Sequence, residues 1–150
     1  MSYPEIVIAG CGNPLFGDDG FGPAVIEEMQ KLSLPDNVMI VDAGLGGPHF
    51  IFAALNPNVT KKVIIVCASN YGEEPGTIKK LRVEDLPIGA FRDACSWDLV
   101  EPLNQFKNRL DITIIGCQPA RIPKPPNYEV GLSDELQKAI NENLEKYEDP

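Results

Sequence analysis

Carboxylate and thiol side chains recur just after the β-branched runs of this 150-residue sequence. A carboxylate can accept a proton, and carboxylates and thiolates both bind metal ions. If the runs are parallel strands, their carboxyl ends share one edge of a sheet, which is where ligands of such sheets bind. The residues that would meet there are Cys11, Asn13, Asp18 and Asp19, then Asp42 and Gly44, Cys67 and Asn70, Asp93 and Cys95, and Cys117 and Gln118. The pattern indicates a site at this edge without specifying its chemistry.

The elements that must position these groups alternate between strands and helices. Short apolar runs predict buried strands, one alternating run predicts an edge strand, and apolar residues at helical spacing predict helices. The predicted strands span residues 6–9, 38–42, 62–67, 78–83 and 111–117, and the predicted helices span about 21–32, 48–55 and 97–109, with a last helix opened by Ser133. This alternation favours a parallel sheet covered on both faces. We therefore predict one three-layer α/β domain over residues 1–150.

Two predicted helix starts carry possible capping residues. Asp18 or Asp19 could cap the helix from Phe21, because a short carboxylate accepts from the free N–H groups of a first turn. Ser133 opens the final helix as a capping box, which is imperfect because Glu135 stands at the second position instead of the third. Four prolines within residues 119–126 exclude regular structure before that helix.

Charge and composition exclude several classes of function. The net charge of −9 repels phosphate backbones, so nucleic-acid binding is not expected. No apolar run approaches the roughly 20 residues of a membrane span. No basic region precedes the first apolar run, as a signal peptide would require, so we expect a cytoplasmic protein. In that compartment the four cysteines should be reduced, as buried thiols or metal ligands and not as disulfides.

Common cofactor and nucleophile motifs are missing. Gly10 and Gly12 begin like a dinucleotide fingerprint, but Leu15 stands where the third glycine should be, which argues against a nucleotide-binding domain. The sequence has no P-loop, no Gly-x-Ser-x-Gly elbow and no His-Glu-x-x-His helix. The single histidine, His49, cannot build a histidine-rich metal site, and its place at a predicted helix start favours an ordinary surface or capping residue.

Three segments carry a resemblance to a known family. Residues 10–22, GCGNPLFGDDGFG, resemble the opening motif of the hydrogenase maturation endopeptidases, Gly-x-Gly-Asn-x-Leu-x-x-Asp-Asp/Glu-Gly-x-Gly. Residues 42–47, DAGLGG, look like the second, Asp-x-Gly loop of that family. Residues 93–103, DACSWDLVEPL, resemble the branch that serves the coenzyme F420-reducing hydrogenases of methanogens. The first motif is long enough to be specific, and the other two support it.

The resemblance implies an α/β/α fold around a twisted, mostly parallel five-stranded sheet. It also implies an endopeptidase that cuts once, near the C-terminus of a nickel-iron hydrogenase large subunit, after nickel has been inserted. The expected partner is the precursor of that subunit, and we expect a monomer. A metal would polarise the scissile carbonyl or activate a water while Asp19 accepts a proton. We expect that metal to be nickel supplied by the substrate, for which zinc or cadmium could substitute in a crystal.

Matched by position, the metal-binding side chains of the family fall on Asp19, Cys67 and Cys95. The family has an aspartate and a histidine at the last two positions, so this sequence departs from the pattern there. The cysteines could form a softer site that still recognises nickel, since thiolates are good nickel ligands. Alternatively, peptidase activity is lost and a non-catalytic metal-binding assembly factor remains, or both cysteines are small buried hydrophobes. Their predicted position at the sheet edge favours the first interpretation.

Asn13, Asp42 and Gly44 are the expected substrate-binding residues. Asp42 either satisfies N–H groups of the glycine-rich loop that follows it or contacts the tail of the substrate. Glycines at 44, 46 and 47 permit positive φ angles, so we expect this loop to order when the large subunit docks. Asp18 is expected to cap a helix or orient the loop and not to bind metal.

Overall fold

Five strands and two helices make up the regular structure of the computed structural model, which describes residues 3–44, 56, 58–70, 72–82, 110–123 and 126–148. The order along the chain is β1 (Ile6–Cys11), a 3-10 turn (Gly17–Gly20), α1 (Phe21–Met29), β2 (Val38–Gly44), β3 (Lys62–Ala68), β4 (Ile78–Arg82), β5 (Asp111–Cys117) and α2 (Asp134–Glu148).

The strands form one sheet in the order β2-β1-β3-β5-β4. The first four strands in this order run parallel, and β4 pairs antiparallel with β5 at one edge. The carboxyl ends of the four parallel strands therefore lie along one side of the sheet, which we call its carboxyl edge. The mostly parallel five-stranded α/β fold is confirmed.

Each face of the sheet carries a buried apolar cluster, because alternate strand residues point to opposite faces. The first cluster comprises Val7, Ala9, Cys11, Ala43, Val63, Ile65, Cys67, Leu110, Ile112 and Ile114. The second joins the sheet to both described helices through Phe21, Val66, Ala68, Cys117, Leu136, Ala139 and Ile140. Burial on both faces is what a sheet between two layers requires. The predicted helices at 48–55 and 97–109 lie outside the described residues.

Most predicted boundaries agree with the structure to within two residues. The strand predicted over 111–117 has these bounds, and the edge strand ends at Arg82 instead of residue 83. Helix α1 was expected to reach residue 32 but ends at Met29. Among the described residues, no helix is long and apolar enough to cross a membrane.

The prediction that Asp18 or Asp19 caps α1 is wrong. Both residues lie inside the 3-10 turn, and α1 has Gly20 at its N-cap with no side-chain cap. The extra turn moves both carboxylates away from the free N–H groups of the helix. The capping prediction at the last helix is confirmed, because the Leu136 N–H donates to Ser133 Oγ at 3.4 Å and α2 begins at Asp134.

Candidate functional site

The turn after β1 packs directly on the end of that strand. Gly12 has a φ of +137°, and a Cβ there would overlap the carbonyl oxygen of Asp19. Only glycine combines this conformation with such a close approach. The glycine therefore allows the 3-10 turn to fold back over the sheet edge and place Asp19 beside the end of β1.

Asn13 links the two ends of this turn. Its backbone N–H donates to Asp19 Oδ2 at 2.9 Å, and its side-chain Oδ1 accepts from the Leu15 N–H at 2.9 Å. The side chain thus forms an Asx turn that shapes the loop. Its expected contact with substrate stays a prediction.

Only one of the two carboxylate oxygens of Asp19 has a hydrogen-bond partner among the described residues. Its Oδ1 is buried and has no hydrogen-bond partner among the described residues. Burial raises the pKa of Asp19 above its usual value, and the N–H of Asn13 lowers it in part. A buried oxygen without a donor is costly unless something else binds it. Its chemistry fits a cation or a transferred proton, and the catalytic and metal-binding role of Asp19 stays a prediction.

Asp18 has the opposite surroundings. It is 1% exposed, and it accepts hydrogen bonds from the N–H groups of Ala120, Arg121 and Ser133 and from Ser133 Oγ, at 2.7–3.0 Å. These bonds tie the turn to the segment after β5 and to the start of α2. Asp18 orients loops, as expected, although it does so for a distant part of the chain that no local sequence signal identifies.

Two of the predicted edge cysteines are neutral thiols. Burial raises the pKa of Cys11 to about 12, with further contributions from the charges of Asp42 and Asp19. Burial and the charge of Asp18 raise the pKa of Cys117 to about 12 as well. A thiol that stays protonated is a poor nucleophile and a poor metal ligand.

Cys67 differs from the reduced thiol that the sequence predicted. Its side chain is fully buried in the first cluster, the Ser69 hydroxyl lies 3.4 Å from its Sγ, and the sulfur takes part in a disulfide. The expectation that every cysteine is reduced is therefore wrong for Cys67. A disulfide sulfur is not a thiolate, so Cys67 can bind a metal only after reduction.

The predicted ligand set is not complete in the part of the chain that the structure describes. Cys95 lies outside the described residues. Among the described residues, no group of three or more histidine, cysteine, aspartate or glutamate side chains is arranged to hold a metal ion. Asp19 lies in the 3-10 turn that follows β1, and Cys67 lies near the end of β3, the strand that pairs with β1. Their joint metal binding stays a prediction.

Asp42 and Gly44 shape the end of β2. Asp42 Oδ1 accepts from the Gly44 N–H at 3.0 Å, and Gly44 has a φ of +47°. This bond supports the expectation that Asp42 satisfies a loop N–H. Asp42 is also exposed and lines a cleft, so a contact with substrate is compatible with its position. The glycine-rich loop at 45–47 lies outside the described residues.

The cleft beside Asp42 is a feature that the sequence did not reveal. It has a volume of about 400 Å³ and lies between α1 and residues 130–132. Its walls combine apolar residues such as Pro23 and Leu132 with the carboxylates of Glu27 and Asp42. Helix α1 and residues 130–132 are more than 100 residues apart in sequence, and only folding brings them together.

Known proteins resemble the chain in sequence and in fold. The family model of the hydrogenase maturation proteases matches residues 23–149. The chain is 43% identical to coenzyme F420 hydrogenase subunit delta of Methanothermobacter thermautotrophicus, over 91% of this chain and 87% of that protein. It is 40% identical to a protein of Methanocaldococcus jannaschii provisionally named hydrogenase maturation protease, over 97% and 95% of the two chains.

A solved structure gives the same fold. The hydrogenase maturating endopeptidase HybD of E. coli superposes with a TM-score of 0.74 at 24% identity, covering 95% of this chain and 89% of that one. The opening motif, the fold and the sequence relatives agree. The chain belongs to the hydrogenase maturation protease family.

Proposed function

We propose that this protein is an endopeptidase that removes the C-terminal extension of a nickel-iron hydrogenase large subunit after nickel insertion. Membership of the maturation protease family supports a maturation role. A relative named as a subunit of coenzyme F420 hydrogenase supports an F420-reducing hydrogenase as the target. The partner in this proposal is the precursor of the large subunit.

The observation that carries the proposal is Asp19. Its Oδ1 is buried at the carboxyl edge of the sheet and unpaired among the described residues, and its pKa is raised. Such an oxygen is suited to contact the nickel carried by the substrate or to take the proton of an attacking water. Water adds to the scissile carbonyl carbon, the C–N bond breaks, and the released amine takes up the proton.

The remaining predicted residues have supporting parts in this proposal. Cys67 and Cys95 would add thiolate ligands to the nickel of the substrate once the Cys67 disulfide is reduced. Asn13, Asp42 and Gly44 would contact the substrate tail, and the exposure of Asp42 supports this part.

Cleavage can be tested with a nickel-loaded precursor of the large subunit under reducing conditions. Mass spectrometry should show loss of a short C-terminal peptide with the parent protein, and Asp19→Asn should abolish this loss because it removes the charge and the proton acceptor. Asp36→Asn is a matched control, since Asp36 is exposed and precedes β2 at the opposite edge of the sheet. A precursor that Asp19→Asn cuts as fast as the parent would rule out the proposed role of Asp19.

A second candidate is a non-catalytic metal-binding assembly factor for the same hydrogenase. One observation favours it, because the relative at 43% identity is named as a hydrogenase subunit. A stable complex with an uncut precursor would support this candidate against the endopeptidase.

Nickel titration of the reduced protein tests the cysteine ligands separately. We expect a thiolate-to-nickel charge-transfer absorption that the Cys67→Ser, Cys95→Ser double variant lacks. The same spectrum from the parent and the double variant would show that the cysteines are not ligands.

A further inference from the structure

A short extended segment runs beside the turn that carries the acidic pair. The N–H of Glu129 donates to the carbonyl oxygen of Leu15 at 2.9 Å, and the N–H of Gly17 donates to that of Glu129 at 2.6 Å, which makes a parallel bridge between Phe16 and Glu129. Glu129 thus directs both backbone groups toward the turn. In an extended chain, the backbone groups of the two neighbouring residues then point the other way.

The outer edge of this segment is open. Among the described residues, the backbone N–H groups of Tyr128 and Val130 have no hydrogen-bond partner. An unpaired extended edge accepts a peptide as an added strand, since main-chain hydrogen bonds give affinity and alternate side chains give specificity.

Apolar side chains surround this edge although they face water. Leu15 is 48% exposed, Tyr128 64% and Val130 78%, and the Tyr128 ring stacks on Phe16 with ring centroids 5.4 Å apart. The bridge to the turn and the bond from the Ser133 N–H to Asp18 hold the segment from both sides. Exposed apolar residues that are fixed in place are typical of interaction sites.

The cleft next to Val130 is negatively charged. Glu27 and Asp42 line it together with apolar side chains such as Ala24 and Leu132, and no lysine or arginine of the described residues does so. Arg121, the cation beside the segment, forms an ion pair with Glu129. An apolar cleft with carboxylates complements a long basic side chain, whose aliphatic stem packs while its charged end meets the acids.

We propose that an extended peptide segment of the protein substrate pairs with the outer edge of residues 128–130 and places an arginine or lysine side chain in the cleft between α1 and residues 130–132. The identity of the peptide as part of a hydrogenase precursor rests on the proposed function. The docking surface itself requires neither nickel nor cleavage, because Asp19 is not among the residues that line the cleft.

The test uses the full chain, labelled with ¹⁵N, and short capped peptides of alanine and valine with one central arginine or glutamine. Amide spectra should show the arginine peptide shifting Val130, Gly131 and Glu27, and the glutamine peptide binding about tenfold more weakly because it cannot form a charge-assisted hydrogen bond. Glu27→Gln should weaken the arginine peptide to a similar extent. Glu28→Gln, the next residue of α1 and not part of the cleft, should leave the affinity unchanged.

Each outcome separates the docking surface from the proposed function. Binding of the arginine peptide at Val130 by a protein that does not cut the precursor would keep the surface and reject only the endopeptidase. Equal affinity for both peptides, or shifts that map elsewhere on a protein that does cut the precursor, would overturn the docking surface. Concentration-dependent shifts at Val130 without peptide would assign the surface to a second copy of the chain and also overturn the proposal.

Discussion

At the scale of single residues, two adjacent aspartates have opposite surroundings. The carboxylate of Asp18 accepts four hydrogen bonds, whereas Asp19 has one oxygen with no partner among the described residues. A satisfied buried carboxylate stabilises the fold, and an unsatisfied one reduces stability. This contrast supports a structural role for Asp18 and a chemical one for Asp19.

The raised pKa of Asp19 gives a prediction on pH dependence. Over the interval between the usual value of 3.8 and the raised value, the folded protein holds a proton that the unfolded chain has lost. The free energy of unfolding of the parent should therefore fall as pH rises through this interval and stay lower above it. Asp19→Asn has no such proton, so the variant should gain stability relative to the parent. Urea unfolding of both proteins from about pH 3 to 7 measures this.

The comparison has an internal control. Below pH 3.8 the side chains of Asp19 and of its Asn replacement are both neutral, in the folded and in the unfolded state. The difference in the free energy of unfolding at such pH values therefore reports only the replacement of a carboxylic acid by an amide. A difference that stays constant over the whole pH range would contradict the raised pKa of Asp19.

At the scale of elements, helix α1 lies so close to the sheet that its contact requires glycine. A Cβ on Gly22 would overlap the carbonyl oxygens of Cys11 and Val66, and one on Gly10 would overlap the carbonyl oxygen of Gly22. Backbone atoms cannot move aside as a flexible side chain can. The glycines of the opening motif thus set the distance between α1 and the strands that carry the site.

Gly22→Ala tests this close packing. In an ordinary helix the change gains about 1 kcal/mol, but overpacking against backbone should reverse the sign and lower the free energy of unfolding by about 3 kcal/mol. Urea unfolding measures the change, with Ala24→Gly as the control in the same helix, where we expect a loss of about 1 kcal/mol from propensity and up to about 1 kcal/mol from the partly buried methyl group. A Gly22→Ala protein as stable as the parent would mean that α1 lies farther from the sheet.

At the scale of the whole molecule, Asp18 joins the beginning of the chain to its end. Its hydrogen-bond donors lie 102, 103 and 115 residues away in sequence. They hold the segment after β5 and the start of α2 against the turn beside β1. Residues 128–130 lie between these two anchors, so their position depends on this carboxylate as well as on the bridge to Phe16.

Asp18→Ala should therefore destabilise the protein strongly. Removing the acceptor leaves four hydrogen-bond donors without their partner, and we expect a loss of about 3 kcal/mol in urea unfolding. Ser133→Ala removes one hydroxyl that serves both Asp18 and the cap of α2, and should cost about 1 kcal/mol. If the two variants lost the same small amount, Asp18 would not be the link between the two ends of the chain.

The sheet could be predicted from the sequence because the signals of its strands are local. The β-branched runs that become β1, β3 and β5 are buried on both faces, so each run identifies its strand without reference to the others. Alternation along residues 78–83 likewise predicted the edge strand. The cap at Ser133 was found because a helix start involves only adjacent residues, whereas the 3-10 turn before α1 was missed because its geometry depends on packing against Gly12.

By itself, the sequence determined the fold class and the family, since these depend on periodicity and on a contiguous motif. Only the tertiary structure decided that Asp19 has a buried oxygen with no partner among the described residues, that Cys67 is in a disulfide, and that an acidic cleft lies beside residues 130–132. Burial, pKa and cleft shape depend on residues distant in sequence that come together only when the chain folds.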